Sequence, residues 1–214
     1  MAWWFFPYLV ISALHVMLLA MDSPAAAPTK ILLMPLLAVP VIASAGRMRS
    51  RPATALLLLA LLFSWLGDGA GTFFPAVPEL PLMLGFFGVA HLAYIVLFAR
   101  YLSGRRLPWW TLAYAIWWPA MLVALGPHAG ALLIALALYG LVLGGTAALS
   151  ARCTRIVAVG GAFFLLSDTV LAFRLFLPET VSGWGDPAVM LTYTLGQGLI
   201  IGGAIAALTR RNTE

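Results

Sequence analysis

Apolar residues fill this chain in long blocks, and the polar residues gather in short gaps between them. A helix that crosses the hydrocarbon core of a bilayer needs roughly 20 apolar residues. Breaks at Gly, Pro and Arg clusters divide the chain into about eight such blocks, over 3–21, 30–45, 53–73, 81–101, 109–126, 129–149, 155–177 and 187–208. The second is short and carries Pro35 and Pro40, so a kink or tilt is expected there. The gaps are only a few residues long and leave no room for a soluble domain. The expected architecture is all-α, a single polytopic transmembrane domain over residues 1–214.

Composition agrees. Of 214 residues, 63% are hydrophobic and 9% charged, and the mean hydropathy is +1.02, values that belong to membrane proteins. The start, MAWWFFPYLVISALHVMLLAMDSPAAAP, has the small residues of a leader cleavage site near Ala25–Ala27 but no basic n-region, so it reads as a retained helix. The one cysteine, Cys153, excludes an intramolecular disulfide and any multi-cysteine metal site. Arg152 beside it would acidify the thiol somewhat, but Cys153 reads rather as a bystander.

Net charge is +5, which by itself would suggest nucleic acid. The arginines argue otherwise. Arg47, Arg49, Arg51, Arg100, Arg105, Arg106, Arg152, Arg155, Arg210 and Arg211 all fall on one side of an eight-span bundle, whereas Asp22, Glu79, Glu179 and Asp186 fall on the other. By the positive-inside bias the termini are expected in the cytoplasm of a cell (inner) membrane protein. The expected partner on this ground is the bilayer, not nucleic acid.

Ionisable groups within the blocks cost roughly 2.5–3.5 kcal/mol each on insertion scales, so each is a candidate for function. Asp68, in LLFSWLGDGAG, and Asp168, in AFFLLSDTVLAF, stand 100 residues apart and hint at an internal duplication. His91, Tyr94, Tyr193, Gln197 and Lys30 fall with them between the midplane and the acidic side, where a polar pocket is expected. Ser64 and Asp68, Tyr193 and Gln197, and His91 and Tyr94 share helix faces by spacing. His15 carries less weight, His128 sits in a short loop, and Arg174 is nearly opposite Asp168 on the helical wheel. Gly67 with Gly71, Gly140 with Gly144, and Gly198 with Gly202 give small-xxx-small packing faces.

Two carboxylates facing one cavity suit acid–base chemistry or proton-coupled transport, and composition does not separate these. A metal held by Asp68, Asp168, His91 and water is a third reading. The G-x-S-x-G, H-E-x-x-H and P-loop motifs are absent from the sequence.

LLFSWLGD (61–68), GAFFLLSDTVLAF (161–173), TYTLGQGLI (192–200) and Lys30 in TKILLMPLL resemble the YhhN-like lysoplasmalogenases, integral membrane proteins with an eight-helix plan. The resemblance implies hydrolysis of the vinyl ether bond of lysoplasmalogens, to a fatty aldehyde and glycerophosphoethanolamine or glycerophosphocholine, without a cofactor. It points to Asp68 and Asp168 as catalytic carboxylates; the greater depth of Asp168 favours it as the acid and Asp68 as the base, and the reverse assignment stays open. Tyr193, Gln197 and His91 would orient water and glycerol hydroxyls, with Tyr94 and Tyr139 beside them. Lys30 or Arg174 would meet the phosphate.

Overall fold

The computed structural model describes residues 2–209. Among them, eight α-helices of 15 residues or more follow one another: α1 (Phe6–Ala20), α2 (Ala26–Ser44), α3 (Arg51–Asp68), α4 (Glu79–Leu97), α5 (Leu112–Ala129), α6 (Leu133–Ser150), α7 (Arg155–Phe176) and α8 (Gly185–Thr209). No strand occurs among the described residues. The all-α, membrane-type architecture read from the blocks is therefore borne out.

Among the described residues, seven continuous helical stretches are long and apolar enough to cross a membrane. One of them, Trp109–Ser150, is 42 residues long, about twice what a bilayer needs. It breaks at Gly130, whose φ of 51° only glycine adopts readily. The chain turns back there. A Cβ on Gly140 would meet Trp118, and one on Gly144 would meet Trp117 and the Tyr114 backbone. Partners thus move apart in sequence on both sides of the break, the mark of an antiparallel hairpin, and α5 and α6 are its two arms.

Helix ends follow local chemistry. Ser50 and Thr154 cap α3 and α7, their hydroxyls accepting from the amides of Ala53 (3.3 Å) and Val157 (3.4 Å). Helix α2 begins at Ala26, earlier than its apolar block, and runs through both Pro35 and Pro40. A proline cannot donate to the carbonyl four residues back. Pro35 therefore frees the carbonyl of Ile31, and Trp65 Nε1 on α3 donates to it at 2.9 Å. What would be an orphan acceptor in hydrocarbon becomes an interhelical tie.

The expected helix over 53–73 is corrected. Helix α3 stops at Asp68 with Gly69 as its C-cap, and a separate turn, Ala70–Phe73, follows. The Phe73 ring occupies the place where a Cβ on Gly69 would stand. Asp68 is thus a terminal residue, whereas Asp168 lies inside α7. The local structure around the two aspartates differs, so it adds nothing to the duplication.

The arginine-bearing connections meet at one end of the bundle. The amides of Gly104 and Arg105 both donate to the Arg152 carbonyl at 3.1 Å, and Arg152 Nε returns a bond to the Arg105 carbonyl. Arg49 N donates to Leu208 O, which brings the end of α8 to the same place. Arg210 and Arg211 lie outside the described residues. Cys153 is also at this end, and the acidified-thiol alternative falls away. Burial pushes the thiol up to about 12, and the Arg152 charge only partly offsets that. Cys153 is expected to resist alkylation by iodoacetamide at about pH 8 in the folded protein and to react once denaturant is added, because only the thiolate attacks. Labelling by mass spectrometry checks this.

The small-residue faces are corrected as well. Gly67, Gly71, Gly140, Gly198 and Gly202 are overlaid mainly by side chains, those of Phe87, Glu79, Trp118, Tyr8 and Phe5 respectively. The closest backbone approach lies elsewhere, between α7 and α8. A Cβ on Gly160 would stand 2.9 Å from Gly196 O, and one on Gly196 would stand 3.0 Å from Gly160 O. Two turns beyond Gly196, a Cβ on Gly203 would stand 2.7 Å from the Val157 side chain and 3.2 Å from the Val157 amide nitrogen. These two helices pack on each other more extensively than any other described pair.

Candidate functional site

A cavity of about 520 Å³ opens at the end of the bundle opposite the connections that carry Arg49, Arg105 and Arg152, within the usual size range of ligand sites. Helices α1, α2, α3, α4, α7 and α8 all contribute to its wall. Asp68, Asp168, Lys30, Arg174 and Tyr193 line it. The two aspartates therefore face one space, as expected.

Each carboxylate has its own set of partners. Tyr193 donates to Asp68 Oδ2 at 2.8 Å, and Lys30 Nζ is 3.8 Å from Oδ1. Lys30 lies a full turn inside α2, so its stem runs along the helix while the ammonium reaches the cavity. Behind Tyr193, Gln197 Nε2 donates to Ser64 Oγ at 3.0 Å and, at 3.5 Å, to the Tyr193 oxygen. Tyr94 donates to Gln197 Oε1 at 2.5 Å. This chain of donors, Tyr94 to Gln197 to Tyr193 to Asp68, leaves each hydroxyl one direction in which to point. Tyr94 and Gln197 are fully buried and stand behind the wall instead of on it. Gln197 holds Tyr193, Tyr94 holds Gln197, and neither of the two lines the cavity.

Asp168 belongs to a second group. Tyr139 on α6 donates to Asp168 Oδ2 in a short hydrogen bond, and His91 Nε2 is 3.8 Å from the same oxygen. His91 Nε2 is also 3.4 Å from the Tyr139 oxygen. Since the Tyr139 proton is committed to Asp168, His91 is assigned its proton on Nε2. His91 is fully buried and its Nδ1 has no partner. His91 and Tyr94 both point inward, as their spacing implies, but each serves a different carboxylate.

The Phe164 ring stands between the groups, 4.6 Å from His91 and 5.4 Å from Tyr193 between centroids. Phe87 closes the same partition, edge-on to both Phe164 and Tyr193. Gly67 makes this possible, because a Cβ there would come within 2.7 Å of the Phe87 ring. The polar positions could be read from the sequence. The two phenylalanines could not, because nothing distinguishes them from other apolar residues until the helices meet.

Beside the cavity lies a narrow apolar slot, lined by Trp117, Trp118, Leu136 and Leu143 and reaching Tyr139 and Asp168. Leu80, Met83, Phe87, Leu171 and Leu175 belong to both spaces. Trp117 is therefore part of the slot wall, with its Nε1 donating to Thr169 Oγ1 at 3.1 Å.

At the mouth, Arg174 forms a two-pronged ion pair with Asp186, with Nη2 to Oδ2 at 2.7 Å. Its charge is thus already matched, unlike the picture of a cation awaiting phosphate. Glu79, which the sequence places among the connecting charges, also lines the cavity, as do His15 and Ser167. His128 follows Pro127 in the last turn of α5, and it does not line the cavity. Among the described residues, no three of the His, Cys, Asp and Glu side chains come together as a group able to hold a metal ion.

The family model for YhhN matches residues 25–204. The chain belongs to the YhhN family. The match runs from the turn before α2 to within a turn or two of the end of α8, so it spans every element that carries Asp68, Asp168, Tyr139, Tyr193 and Gln197. Neither the curated proteins nor the solved structures contain a significant match. In this YhhN protein the two carboxylate groups and their shared cavity are thus set by the family region, with α1 adding one more wall.

Proposed function

We propose that this YhhN protein hydrolyses the vinyl ether bond of lysoplasmalogens, releasing a fatty aldehyde and glycerophosphoethanolamine or glycerophosphocholine. The observation that carries this reading is the pair of separately partnered aspartates on one cavity, with an apolar slot leading away from Asp168.

A vinyl ether is activated by protonating the outer carbon of its double bond. Asp168 donates that proton, a reading supported by its hydroxyl and imidazole partners and by the apolar slot that opens beside it. The electrons of the double bond take up the proton and leave an oxocarbenium ion at the carbon attached to oxygen. Asp68, whose counter-ion is Lys30, stays ionised, stabilises that cation and takes a proton from the attacking water. The resulting hemiacetal collapses. Its hydroxyl proton leaves, the carbon–oxygen bond to glycerol breaks, and the glycerol oxygen is protonated. The proton held by Asp68 returns to Asp168, so one water is consumed and the enzyme is unchanged. No metal or other cofactor takes part in this scheme.

The arginine-rich end is assigned to the cytoplasm on the positive-inside bias. The cavity then faces the extracytoplasmic leaflet of the cell membrane, from which a lysolipid enters.

Purified protein in detergent, supplied with a lysoplasmalogen, is expected to yield aldehyde and the glycerophospho-alcohol by mass spectrometry and to leave the ester-linked lysolipid intact. In deuterated water the aldehyde is expected to carry one deuterium on the carbon next to the carbonyl, from the first protonation. Absence of aldehyde would exclude the hydrolase, leaving a proton-coupled transporter, which has no work to do without a membrane.

A further inference from the structure

His15 is a cavity residue that the scheme above does not use. It lies on α1, is 2% exposed and lines the cavity with Lys30 and Asp68. One edge of its ring is tied down. Nδ1 is 2.8 Å from Thr29 Oγ1 and 3.1 Å from the Ala26 carbonyl, and Thr29 itself donates to that carbonyl at 2.7 Å. A carbonyl only accepts, and the Thr29 proton is spent on it, so Nδ1 carries the hydrogen in the neutral ring. The other nitrogen, Nε2, is then a lone-pair acceptor. It is buried and has no partner. Such a group costs free energy until a donor arrives.

The kind of donor follows from the neighbours. Lys30 is on the same wall and within electrostatic reach of the ring. A ligand ammonium at Nε2 would be repelled by it, whereas a neutral hydroxyl would not. Lys30 is also the cation placed to meet a lipid phosphate, and Asp68 beside it is placed to meet the ether carbon. In a lysolipid the free hydroxyl of glycerol sits between the phosphate-bearing and the ether-bearing carbons. We infer that His15 is a specificity-determining residue of this cavity, its Nε2 accepting a hydrogen bond from the free glycerol hydroxyl of a lysolipid. The inference rests on the lipid reading of the site given above. Where that hydroxyl is acylated, an ester oxygen faces Nε2, two acceptors meet, and the ligand is disfavoured.

Binding to a ligand that cannot react tests this apart from catalysis. The probes are the saturated hexadecyl ether of glycerophosphoethanolamine and its counterpart without the central hydroxyl, titrated into the full chain in detergent. The wild type is expected to favour the hydroxyl-bearing probe by about threefold to tenfold, the worth of one net hydrogen bond. In His15→Phe the ratio is expected to fall to about one. His15→Gln, which keeps a polar side chain against Thr29, serves if the first variant does not fold, with the ratio again lowered.

A wild type that binds both probes equally, or neither, overturns the inference. So does a folded variant that keeps the preference. Aldehyde release from the vinyl ether is a separate readout. A preference that depends on His15 with no aldehyde released upholds the recognition and removes the hydrolase reading. Aldehyde release without any hydroxyl preference does the reverse.

Discussion

Asp168→Asn is expected to lower the rate of aldehyde release by about 10²- to 10⁴-fold, the usual worth of a positioned acid. The amide has nearly the same shape and its oxygen can still accept from Tyr139, whose hydroxyl bonds the wild-type carboxylate. It has no proton that it can give to carbon. The loss is therefore expected in kcat, with KM changed little, because the slot and the Lys30 side of the cavity are untouched.

Asp68→Asn is expected to be as damaging, for a different reason. It leaves the oxocarbenium ion without a counter-charge and Lys30 without the carboxylate now 3.8 Å away. Aldehyde quantified over time by mass spectrometry, alongside thermal unfolding in the same detergent, separates lost chemistry from lost fold. Near-normal turnover in either folded variant would falsify the two-carboxylate scheme.

The largest effect on stability is expected from Gly196→Val. Even the first added carbon would stand 2.8 Å from the Phe164 amide nitrogen and 3.0 Å from Gly160 O. Both are backbone atoms within helices and cannot swing aside as a side chain can. Helix α8 must then move away from α7 along the most extensive contact between described helices. Overpacking of this kind costs about 1–3 kcal/mol, and the two methyls of valine extend the clash. Tyr193 and Gln197 flank Gly196 on α8, whereas Phe164 and Asp168 are on α7, so the separation also loosens the wall between the carboxylates.

Gly88→Ala is the control. A Cβ there meets nothing within 4 Å, and alanine favours helix over glycine. Tryptophan fluorescence during heating is expected to show a Tm lowered by several degrees for Gly196→Val and unchanged or raised for Gly88→Ala. Equal Tm values for Gly196→Val and the wild type would mean that α7 and α8 do not approach as closely as described.

The sequence by itself determined the helices, the number of them and the asymmetry of their two ends. Apolar blocks of spanning length must bury their backbone polar groups in helices, and arginines clustered in alternate gaps assign those gaps to one end. It also singled out Asp68, Asp168, Tyr193, Gln197 and Lys30, because each breaks an apolar pattern at a cost that a folded protein has to recover, whereas Tyr139 came only through the family resemblance.

Tertiary structure decided what those residues do to one another. It separated His91 and Tyr94, neighbours on one face, between two carboxylates. It moved Arg174 into an ion pair with Asp186 and brought His15 onto the wall. It chose Gly160 and Gly196 for the close contact over three better-spaced glycine pairs. None of this is periodic. Spacing along a helix says which side chains share a face, but the neighbour across that face comes from another helix, and its register and rotation are set by packing of the whole bundle.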